Sequence, residues 1–152
     1  MHVVNEFNKS NKYVSHFCSG KKIITFQCDC NRPIEKDCVT IILMDNTEIR
    51  IYSFMRIIQN NKSVFSITDY WLNNDILRII KDMEKILSGS RITETTFNDV
   101  GDCVLCLENG VQVQIFIDVT MGETDYLRID NNKKYYVLCR IDNKLTESVG
   151  ND

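Results

Sequence analysis

The stretch DCVLCLENGVQVQIFI (102–117) decides the fold. Two apolar runs, 103–107 and 111–117, flank Glu108-Asn109-Gly110, and Asn-Gly between such runs is a strong short-range signal for an antiparallel hairpin. Val111, Val113 and Ile115 alternate with Gln112, Gln114 and Phe116. One face of that strand is aliphatic and the other mixed, as in a sheet covered on one side only. A second hairpin is expected upstream, where 38–44 and 48–52 flank Asp45-Asn46-Thr47.

The two regions carry the same text twice. Ser19-Gly20-Lys21-Lys22-Ile23 matches Ser88-Gly89-Ser90-Arg91-Ile92, and Asp37-Cys38-Val39 matches Asp102-Cys103-Val104. Arg56-Ile57 followed by Asn60-Asn61-Lys62 matches Arg128-Ile129 followed by Asn131-Asn132-Lys133. Three matches in order, each at an equivalent junction, point to an internal duplication. Between the copies, Ile76, Ile79, Ile80, Met83 and Leu87 recur at the spacing of one helical face, so 74–87 reads as an amphipathic helix ended by Gly89. Its counterpart before Gly20 is expected within 4–18, short or broken by the polar residues 8–12. The expected fold class is α+β: one domain over 1–152, made of two tandem helix-plus-antiparallel-strand units sharing a core. The pseudo-repeat is 3–72 and 73–142, mainly antiparallel sheet with one long central amphipathic helix, and 143–152 is a flexible tail.

A chain of 152 residues, 43% hydrophobic and 26% charged, is long enough to bury a core. Its start shows neither a basic region nor an apolar run of the secretory kind, and no apolar run approaches the length of a membrane span, so a cytoplasmic protein is expected. Seven cysteines are then expected to be reduced. Cys103 and Cys106 have the spacing of zinc ligands, but in a strand residues three apart point to opposite faces, so they read as small hydrophobes. No nucleophile, phosphate-binding or metalloprotease motif is present, and His2 and His16 have no partner arranged in sequence. No enzyme activity, cofactor or metal is expected. The lone Trp71 reads as a core plug at the junction between the units.

Charge is unevenly spread. From 92 to 130 there are eight acids and one base, a local charge of −7, against +4 for the remainder. Such a field repels nucleic-acid backbones and anionic membranes and attracts a basic protein. Asp99, Asp102, Asp118, Glu123 and Asp125 are the candidate partner-binding residues, as charge complements.

Residues 89–92, 101–110 and 113–116 resemble, in their strand, Asn-Gly turn and Gln-Ile-Phe return strand, the small immunity proteins encoded beside bacterial polymorphic and contact-dependent growth-inhibition toxins. The resemblance implies a monomeric cytoplasmic antitoxin that binds and neutralises a cognate toxin C-terminal domain, often a nuclease. Toxin-contacting residues differ among such proteins, so none is inherited. The alternative is a structural, homo-oligomerising module that pairs through exposed β edges.

Overall fold

The computed structural model describes residues 2–4, 6–29, 38–72, 74–117 and 124–151. The elements run β1 (His2–Val3), α1 (Asn8–Cys18), β2 (Ile23–Asp29), β3 (Cys38–Leu43), β4 (Glu48–Ile51), β5 (Met55–Gln59) and β6 (Lys62–Ser66). They continue α2 (Ile67–Leu72), α3 (Ile76–Leu87), β7 (Ile92–Phe97), β8 (Cys103–Leu107), β9 (Gln112–Ile115), β10 (Thr124–Asn131), β11 (Lys134–Ile141) and β12 (Lys144–Asn151). From α1 to β6 and from α3 to β11 the order is the same, helix followed by five strands, with α2 inserted between.

Strands from the two halves are exchanged rather than stacked in tandem. One sheet of seven strands has the order β1-β12-β11-β10-β4-β3-β2, and a second of five has β6-β5-β9-β8-β7. Each sheet thus joins three strands after one half's helix to the last hairpin of the other half. Where the halves meet, the bonds are reciprocal. Ile23 N donates to Ser90 O and Ile92 N to Lys21 O, both at 2.9 Å, around a bridge between Lys22 and Arg91.

Period-2 alternation sends one face of each sheet inward. Ile41, Ile49, Ile129 and Leu138 of the larger sheet, and Ile57, Leu105 and Val113 of the smaller, are buried in one hydrophobic cluster. Phe26 and Phe65 join the sheets edge to face at 5.6 Å. Each buried side chain of this size contributes about 1.5–3 kcal/mol by removal from water. Short turns close the hairpins: Asn60-Asn61 and Asp142-Asn143 all have positive φ, the backbone of a two-residue turn matched to strand twist.

Two expectations are corrected. The α+β fold with a long central helix gives way to two antiparallel sheets carrying short peripheral helices. The helix expected at 74–87 is the three-turn α3. It lies against edge strand β2 with only Met83 and Leu87 fully covered, and its Leu77 is 76% exposed. The sheets fill the core, so no central position is left for it. The segment 143–152, expected to be a flexible tail, is β12 over Lys144–Asn151, paired with β11 along its whole length. The Trp71 side chain and the connection bearing Pro33 lie outside the described residues. Among the described residues no helix is long and apolar enough to cross a membrane.

Candidate interaction surface

The acidic second half places its strands β7, β8 and β9 in the five-stranded sheet, and the outer face of that sheet is the candidate surface. Thr95, Leu105, Val113, Ile57 and Phe65 form a buried row across all five strands. The neighbouring row, Thr96, Val104, Gln114, Arg56 and Ser66, therefore faces outward. The next holds Glu94, Cys106, Gln112 and Ile58. Glu94 is exposed, and burial pushes the Cys106 thiol up with Glu94 adding to the effect, so Cys106 is a poor nucleophile.

At one end of this face Phe54 and Phe116 meet with ring centres 5.7 Å apart. The Arg56 guanidinium lies 5.1 Å over the Phe116 ring and its Nε donates to Gln114 Oε1 at 2.6 Å. A concavity of about 310 Å³ opens there, bounded by Arg56, Gln114, Phe116, Val104, Asn98 and Asp102.

That turn is tied down from within. Asn98 Oδ1 accepts from Val100 N and Asp102 N at 3.0 Å each, and Asn98 Nδ2 donates to Asp102 Oδ2 at 3.1 Å. Asp102 Oδ1 accepts from Ile117 N at 2.9 Å. Gly101 has φ +97°, and a Cβ there would lie 2.7 Å from Phe7 Cζ, so glycine is required both by the backbone and by the close approach of the ring. The turn therefore holds out Asp99 and Val100, both exposed, on a rigid base.

The five acids singled out by charge fare differently. Asp99 and Asp102 share the turn, but the Asp102 carboxylate is occupied in holding it. Asp125 is exposed on β10 of the other sheet. Asp118 and Glu123 lie outside the described residues. Arg56, Gln114, Phe54, Phe116 and Glu94 were not singled out by charge. The repeated Arg-Ile pair is the sequence signal for Arg56, and the mixed face of 111–117 is the signal for Gln114 and Phe116; Phe54 and Glu94 carry none.

The larger sheet's outer face is self-neutralised instead. Arg50 pairs with Glu48 at 3.3 Å, and Arg128 pairs with Asp130 at 2.8 Å. At its edge, Lys21 Nζ lies 2.6 Å from Asp45 Oδ2, and Thr47 Oγ1 donates to Asp45 Oδ1 at 2.6 Å. Burial opposes ionisation of Asp45, yet these Lys21 and Thr47 bonds hold its pKa at about 2.

A separate polar cluster is internal. Ser10 on α1 and Tyr136 on β11 both donate to Glu147 Oε2 on β12, the latter at 3.1 Å, and all three residues are buried. Burial pushes the Tyr136 phenol far up and the Cys18 thiol to about 12, so neither ionises near neutrality. Buried together, these side chains tie α1 to β11 and β12. Cys103 is buried while Cys106 is on the outer face, so their side chains do not converge. Among the described residues no three His, Cys, Asp or Glu side chains are grouped to hold a metal. No protein-family model, curated protein or solved structure matches this chain.

Proposed function

We propose that this chain is a binding protein of the toxin-immunity kind, which neutralises a basic toxin domain by docking on it. The observation that carries the reading is the outer face of the five-stranded sheet. It offers aromatic and amide side chains, a concavity and a rigid turn, rimmed by Glu94, Asp99 and Asp102. A rigid polar-aromatic patch with an acidic rim suits fast, oriented association with a basic partner. The edge-pairing alternative has less support. Edge strand β6 is five residues long, carries exposed Lys62 and pairs with β5 through an irregular register, features that discourage pairing between chains.

The test is a growth assay in which a toxin domain encoded beside this chain is induced with and without it. Protection supports the reading, and unrelieved toxicity refutes it. The electrostatic part is tested separately by the double variant Glu94→Lys, Asp99→Lys. Association with the toxin domain should slow about tenfold or more at low salt and lose most of its salt dependence. Unchanged kinetics would remove the acidic face from the account.

A further inference from the structure

Arg56 and Arg128 occupy equivalent places on the outer faces of the two sheets. In the β5–β9 pair Arg56 is opposite Gln114 and Ile57 opposite Val113; in the β10–β4 pair Arg128 is opposite Arg50 and Ile129 opposite Ile49. Two residues further along each strand stand Ile58, opposite Gln112, and Asp130, opposite Glu48. Arg128 lies 5.3 Å over the Tyr135 ring and spends its fork on Asp130, with Nε and Nη2 donating at 2.8 and 2.9 Å. Arg56 is likewise laid over a ring, that of Phe116, and steered by Gln114. Where Arg128 has its carboxylate, Arg56 has Ile58. Among the described residues Arg56 forms no ion pair, and the acid that shares its concavity, Asp102, is taken up by Asn98 and Ile117 N.

An arginine placed over a ring and fixed at Nε keeps its two terminal nitrogens for a pair of bonds to a planar anion. We propose that Arg56 is a carboxylate receptor, taking one Asp or Glu side chain of a protein partner into the concavity beside Phe116. Phosphate is the competing anion, and Asp102 on the concavity wall repels its dianion about twice as strongly as a carboxylate. The assignment deepens the binding reading and rests on it. A single acid on a mainly basic partner, met by Arg56 within an acidic face, fixes register and rejects partners lacking it.

The experiment follows the 15Nε–Hε resonances of Arg56 and Arg128 in the full chain during titration with acetyl-Gly-Asp-Gly-amide, its Asn counterpart and inorganic phosphate. A saturable shift confined to Arg56, about tenfold or more tighter for the Asp peptide than for the Asn peptide, is expected. Ile58→Asp, which restores the relation Asp130 has to Arg128, should weaken that response about tenfold or more while leaving the rest of the spectrum in place. Equal responses to the two peptides, equal shifts at both arginines, a stronger response to phosphate, or an unaltered response in Ile58→Asp would each overturn the assignment. In the growth assay, protection by the wild-type chain together with any of those outcomes removes the Arg56 receptor and leaves the immunity reading. Failure of the wild type to protect removes the latter whatever Arg56 binds.

Discussion

Ser10→Ala tests the internal tether and with it the place of β12 in the fold. Ser10 and Glu147 are 0% and 1% exposed, so water cannot replace the lost donor. The substitution removes the Ser10 donor from Glu147 Oε2 and opens only a small void. An incompletely satisfied buried polar atom costs about 1–3 kcal/mol, a sizeable share of a total stability of about 5–15 kcal/mol. A chain of this size loses about 2–4 °C of Tm per kcal/mol, so a loss of 2 kcal/mol lowers Tm by about 4–8 °C. Urea unfolding is the assay, with the midpoint falling and the slope unchanged if both states keep their compactness. Tyr136→Phe should cost a similar amount. Because Ser10 and Tyr136 share one acceptor, the double variant should depart from the sum of the singles by about 0.5 kcal/mol or more. A Ser10→Ala protein within about 0.3 kcal/mol of wild type, or strict additivity, would refute the claim that this oxygen ties α1 to β11 and β12.

Asp45 has a folded-state pKa of about 2, below its ordinary 3.8, so it contributes stability above pH 4 and loses it as pH falls through 2. Its side chain is 43% exposed, which limits the contribution to about 1 kcal/mol or less. Asp45→Asn should be less stable than wild type at pH 6, with the gap closing as pH falls through 2 in urea titrations, whereas a gap that persists below that would contradict the pairing with Lys21. Gly101→Ala should cost about 1–2 kcal/mol, from positive φ and the Phe7 ring, which is itself stacked on Phe97 at 5.8 Å. It should also slow association with the partner by loosening the Asp99 turn; wild-type stability and kinetics would show that the turn tolerates a side chain.

What was legible in the sequence was local. The Asn109-Gly110 hairpin announced itself because turn chemistry and alternation act over a dozen residues, and the apolar stripe of 76–87 marked α3 to within two residues. Periodicity says which face of a strand is buried and is silent on which strand pairs with it. The exchange that sets β4 beside β10 and β5 beside β9 links residues more than fifty positions apart, so the halves read as tandem. β12 was missed for another reason. Residues 143–152 read as a polar tail, although Asp142 and Asn143 are of the few residue types that accept the positive φ of a tight hairpin. Glu147 compounded the error, because a carboxylate is ordinarily a sign of surface and here is buried under two hydroxyl donors.

The same exchange explains why charge alone was an incomplete guide to the surface. Counting acids along the chain assigns them to a half, yet the five-stranded sheet takes β5 and β6 from the mildly basic first half. Arg56 is thereby carried into the acidic face, at the place where the other sheet holds Arg128. Within the larger sheet the equivalent positions are closed by Glu48, Arg50 and Asp130, which satisfy one another. In the smaller sheet Gln112, Gln114 and Ile58 stand in their places, and among the described residues Arg56 and Glu94 have no ion-pair partner. Two faces of common layout thus differ in whether their charges are spent inside the molecule. Substitutions that neutralise Arg50 and Glu48 together should leave binding untouched, while those at Arg56 and its aromatic support should not.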